Sequence, residues 1–143
     1  MFGFEITKLF FDKKAVTSKT DRATRNVLSR FGAFVRRTAK SSIRTRKGIS
    51  APGSPPSSHT GLLKKFIFFG YEPQRRSVVI GPARLNQRGR GALPGAPSLL
   101  EYGGVTAAKG KRKRARYRPR PFMGPAFIKE RTKMPALWRD SIK

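Results

Sequence analysis

Residues 119–127 (Pro-Arg-Pro-Phe-Met-Gly-Pro-Ala-Phe) constrain this chain more than any other stretch. Pro119 and Pro121 hold φ at about −65° and donate no backbone hydrogen bond, so the approach to Phe122 is extended and cannot be a central strand. Gly124 then suits a helix N-cap and Pro125 the first helical position, with Met123 and Ile128 spaced for a hydrophobic staple. Apolar residues at Phe127, Met134, Leu137 or Trp138, and Ile142 predict a packed C-terminal helix. Pro135 should kink or split that helix, because it lacks an N–H and its ring clashes with the carbonyl of residue 131.

The clearest periodicity lies near the other end. Ser18 and Asp21 form an S-x-x-D box that opens a helix reaching about residue 43. At 3.6 residues per turn, Ala23, Val27, Leu28, Phe31, Phe34, Val35 and Ala39 gather on one side. Arg22, Arg25, Arg36, Arg37, Lys40 and Arg44 gather on the other. Residues 47–60 form a Pro-, Gly- and Ser-rich loop. Residues 62–71 and 77–80 read as two strands of an antiparallel hairpin, with the turn at 72–76 and a stop at Gly81-Pro82. After a second loop at 83–97, Ser98 to Tyr102 reads as a third strand closed by Gly103-Gly104, and residues 104–120 as a third loop. Residues 2–11 fit either a short strand or a helix packed on a neighbour. The fold class is α+β in a single domain covering 1–143: a long amphipathic helix on a small antiparallel sheet, a short kinked C-terminal helix, and long basic loops.

The charge balance is far from ordinary, with 33 Lys and Arg against 7 Asp and Glu, a formal +26. Counting glycine and leaving out tyrosine, the apolar share is about 45%, the usual globular value, so the chain can build a core. Few acids interrupt the basic helix face, so it carries uncompensated repulsion of a few tenths of a kcal/mol, roughly, per like-charged pair. Residues 109–120 alone hold eight Lys or Arg. Such surfaces need an anion beside them, either a polyphosphate or an acidic protein neighbour. The candidate contacts are Lys109, Lys111, Arg112, Lys113, Arg114, Arg116 and Arg118 on the arm, with Arg36, Lys40 and Arg44 on the helix. No apolar run has the ~18 residues that a membrane span needs. Residues 1–11 carry Glu5 and lack a small-residue cleavage site, so no secretory signal is expected.

No catalytic constellation assembles from these residues. The one histidine, His59, stands in a Ser/Thr/Gly turn and reads as structural; there is no cysteine; the acids are scattered singly. The glycine-rich pieces match neither a phosphate-binding loop nor a dinucleotide fingerprint. Glu101 is expected to neutralise arginines or cap a loop. The expectation is a non-enzyme without metal or cofactor.

The order Pro52-Gly53-x-Pro55-Pro56, His59-Thr60-Gly61-x-Leu63, Val79-Ile80-Gly81-Pro82, Leu100-Glu101-Tyr102-Gly103-Gly104 and Arg120-Pro121-Phe122-Met123-Gly124-Pro125-Ala126 resembles one family of tailed bacteriophages. These are the tail-completion or neck proteins related to minor tail protein Z of phage lambda, and the similarity spans residues 20–130. The resemblance implies a structural virion protein that forms a hexameric ring in the neck, joining tail to head beside connector and tail-tube proteins. It implies scaffold roles for Thr60, Gly61, Gly81, Glu101, Tyr102, Gly103, Pro121, Phe122 and Pro125, with Thr60-Gly61 starting the first main strand. It places the protein in the virion neck or tail, and in the host cytoplasm during assembly. The basic arm departs from the family pattern and leaves open whether the chain touches packaged DNA. The alternative from another class is a basic RNA-binding protein of ribosomal type.

Overall fold

In the computed structural model, residues 12–83, 95–105 and 115–141 are described. A 30-residue helix, α1 (Lys13–Ser42), is the spine, about 45 Å long at 1.5 Å per residue. It starts earlier than the Ser18 box suggests: Asp12 Oδ1 accepts the Ala15 N–H at 2.9 Å and caps the helix there. Its buried positions are Ala23, Val27, Phe31, Val35 and Ala39, continued by Ile43 just past its end. That four-residue spacing makes one continuous ridge for other elements to pack on. Leu28 and Phe34 flank the ridge and are only half-buried.

Two strands lie against this ridge as an antiparallel hairpin, β3 (Ile67–Glu72) and β4 (Ser77–Pro82), paired from Ile67 with Pro82 to Glu72 with Ser77. Two earlier pieces, β1 (Arg44–Thr45) and β2 (Ser57–Ser58), form a short parallel bridge that pins the Pro-rich loop next to the end of α1. The loop is also anchored inward by buried Ser50, Pro56 and Ser58. Gly32 marks the closest approach of helix and hairpin. A Cβ at that position would sit 2.8 Å from both Phe69 Cδ2 and Val78 Cγ2. Gly32→Ala gains about 1 kcal/mol of helix propensity. Displacing two packed side chains costs more, so urea denaturation should register a net loss of about 1–2 kcal/mol. A gain would contradict the tight packing.

Three sequence expectations are corrected. Residues 62–71 are not one strand: Gly61, left-handed at φ 72°, caps a helical turn, α2 (Leu62–Lys65), and the strand begins only at Ile67. Thr60-Gly61 therefore opens α2 rather than the first main strand. Ser98 to Tyr102 lies in a helix, α3 (Ala96–Tyr102), because Pro97 suits its first turn and Gly103 ends it with a bond to the Leu99 carbonyl. The short strands β5 (Gly104–Val105) and β6 (Arg116–Tyr117) follow as an antiparallel pair. Finally, α4 (Met123–Arg131) starts at Met123 with Phe122 as its cap, so Pro125 is the third helical residue and Met123 lies inside the helix. Pro135 splits the C-terminal helix as expected: α4 ends at Arg131 and α5 (Met134–Arg139) begins afresh.

The core is one cluster, comprising Phe31, Val35, Ala39, Ile43, Ile67, Phe122 and Ala126. It sits where α1, β3 and α4 meet. Phe127 adds an edge-on contact to Phe31, with ring centroids 5.6 Å apart at 82°. Beside it, the buried Glu130 carboxylate accepts from Thr38 Oγ1 at 2.6 Å and pairs with the Lys133 ammonium. Lys133 first, and the Thr38 hydroxyl second, hold the Glu130 carboxyl below its ordinary range against the opposing effect of burial.

Candidate functional site

Three of the sequence blocks that carry the resemblance, at 52–56, 100–104 and 120–126, meet at the extended segment before Phe122. Pro119 and Pro121 have no N–H, so Arg120 holds the one backbone donor among residues 119–121. That N–H is used: it donates to the Leu100 carbonyl at 2.6 Å. The Pro119 carbonyl accepts the Gly53 N–H at 2.9 Å, and Arg120 Nε donates to the Ser50 carbonyl at 2.8 Å. A single strap thereby ties the Pro-rich loop to α3.

Glu101 completes the joint. Its carboxylate accepts the backbone N–H groups of Phe122 and Met123, at 2.9 and 3.0 Å, through Oε2, and that of Gly124, at 2.7 Å, through Oε1. These are orphan donors at the start of α4, so a residue on a different helix provides the cap, and its negative charge also suits the positive helix end. Where the sequence suggests that it neutralises arginines or caps a loop, the structure has it capping the start of a helix. Gly103 is needed here too: it takes φ 73°, and a Cβ would lie 2.9 Å from the Tyr117 carbonyl oxygen. Tyr102, beside it, is largely solvent-exposed. Pro121 is half-buried, Phe122 is 1% exposed, and Pro125 is exposed.

On the outer side of the strap lies a cleft of about 460 Å³, lined by Ser50, His59, Arg116, Tyr117, Arg118 and Arg120 among others. Among the described residues no acid lines it. Arg116 and Arg118 are exposed, and no ion pair engages either among the described residues. Lys109, Lys111, Arg112, Lys113 and Arg114 lie outside the described residues.

The helix residues divide. Arg36 turns to the sheet, where Nε donates to the Ile67 carbonyl at 2.8 Å and the guanidinium stands 5.9 Å from the Phe68 ring centre. Lys40 is half-buried; burial first, then Arg36 and Lys64, push its ammonium below the ordinary lysine range. Arg44 is exposed on β1. Arg36 and Lys40 are therefore not free like the cleft arginines, whereas Arg44 is exposed opposite Ser57, which lines the cleft.

The chain matches no protein-family model, no curated protein and no solved structure.

The remaining unusual surface is the hairpin. Residues 67–71 and 77–82 contain no charge, in a chain of which 28% of residues are charged. Their pairing puts Phe68 opposite Gly81 and Gly70 opposite Val79, on the face away from Gly32. Phe68 and Val79 are 49% and 55% exposed. Among the described residues neither outer edge of the hairpin pairs with another strand. Sequence reasoning found the hairpin but missed Ser50 and Arg120, because their meeting joins residues 70 positions apart. Among the described residues no group of acids or histidine could hold a metal ion, and no helix is long and apolar enough to cross a membrane.

Proposed function

We propose that this chain is a structural, non-enzymatic virion protein of a tailed bacteriophage. It forms a ring of identical copies in the neck or tail-completion region and joins tail to head. The resemblance of its motif blocks to that family suggests the class. The observation that carries the ring is the half-exposed outer face of the hairpin, whose residues 67–71 and 77–82 carry no charge. Copies of a chain carrying +26 repel one another wherever their basic faces meet, so they associate best through a neutral apolar surface. Phe68 and Val79 offer that surface, and the unpaired strand edges offer backbone donors and acceptors to the next copy. The hexamer follows the family resemblance; the neighbours would be connector and tail-tube proteins.

The second reading, a basic RNA-binding protein of ribosomal type, is favoured by the acid-free cleft. Light scattering during gel filtration in about 0.5 M salt separates the two, since that salt weakens phosphate contacts far more than apolar ones. A ring that persists there, and that Val79→Arg dissociates without loss of helix content, is the expected result. A wild-type monomer at every concentration overturns the ring.

A further inference from the structure

The cleft beside the strap has the chemistry of a nucleic-acid backbone site. Arg116 and Arg118 leave the same side of an extended segment, so their stems are spaced by about 6.6 Å, two residues at ~3.3 Å each. That interval is comparable with the separation of successive phosphates along one strand. Ser50 supplies the second observation. It lines the cleft at 4% exposure, and its hydroxyl, buried just behind the wall, has no hydrogen-bond partner among the described residues. A buried hydroxyl left unpaired costs free energy unless something enters to pair with it, and a phosphate oxygen accepts from a hydroxyl. Arg120 does not pair with the hydroxyl: its Nε donates to the Ser50 carbonyl and its Nη1 to the Arg118 carbonyl. Half-exposed Tyr117 and exposed His59 add flat surfaces for sugar and base edges.

We propose that this cleft grips the phosphodiester backbone of DNA, with Arg116 and Arg118 on adjacent phosphates and the Ser50 hydroxyl donating to one of them. The inference names the partner of the neck reading, on which it rests for the source of DNA, yet the cleft lies wholly within one subunit. Acidic peptide is the lesser fit, because its carboxylates can accept from the hydroxyl but it brings no bases to lie against Tyr117.

The test is fluorescence anisotropy with a labelled DNA duplex, an RNA duplex of the same sequence and a polyglutamate peptide. Arg116→Ala with Arg118→Ala should weaken DNA binding about tenfold or more and lower the slope of log affinity against log salt by about 2. Ser50→Ala should weaken it severalfold with no change in slope. Arg22→Ala with Arg25→Ala, removing equal charge from α1, should do much less. Equal losses in the two double variants, or tighter binding of RNA or polyglutamate than of DNA, overturn the proposal. Cleft-dependent DNA binding by a subunit that light scattering finds monomeric overturns the ring alone. A persistent ring whose DNA binding ignores Arg116 and Arg118 overturns this inference alone.

Discussion

Phe122→Ala is expected to destabilise the subunit by about 3–5 kcal/mol, the range for emptying a large aromatic site in a packed core. Phe122 is 1% exposed and belongs to the cluster that joins the α1 ridge to Ile67 and Ala126. Its surroundings cannot collapse easily, because the backbone on one side is held by proline and on the other by a capped helix. Phe122→Leu keeps most of the volume and should cost under about 1.5 kcal/mol. Urea denaturation at high salt, where charge repulsion is screened, measures both. An alanine variant within about 0.5 kcal/mol of the parent would deny Phe122 its role as anchor.

Glu101→Ala should be nearly as damaging, at about 3 kcal/mol. One carboxylate serves three backbone donors at the start of α4, and a hydrogen bond to a charged group is worth about 1.5–3 kcal/mol. The three do not add, since the half-buried Met123 and Gly124 amides can recruit water, whereas the amide of Phe122 leads straight into the core. Glu101→Gln keeps the shape but only one acceptor oxygen, and should fall between the two. The damage should also be local: exchange of the first amides of α4 should quicken more than exchange of the central amides of α1. Uniform acceleration through both helices would contradict a capping role.

Much of the α+β fold was legible because two of its elements have strong periods. The α1 ridge repeats along most of a long helix, and the two apolar runs of the β3–β4 hairpin stand out, although β4 runs through Gly81-Pro82 instead of stopping before them. The failures were short elements, where the period has no room to declare itself. Ser98 to Tyr102 looks like a strand by composition, but Pro97 and Gly103 bracket a helix of only seven residues. The α4 start was misplaced because its cap comes from Glu101, more than twenty residues away, rather than from a local side chain. The same limit hid the cleft. Arg116 and Arg118 were legible as basic residues, but Ser50 joins them only through the strap.

The division of the core between the two ends of the chain bears on its synthesis. The ridge of α1 is complete once Ile43 has left the ribosome, but Phe122 and Ala126, which cover it, are made roughly 80 residues later. The hairpin strands can cover part of it sooner, but at ~5–20 residues per second the surface that Phe122 and α4 cover stays bare for about 4–16 s. During that interval the nascent chain is an adhesive, strongly cationic rod, and whatever shields it in the cell determines how many copies survive to meet one another.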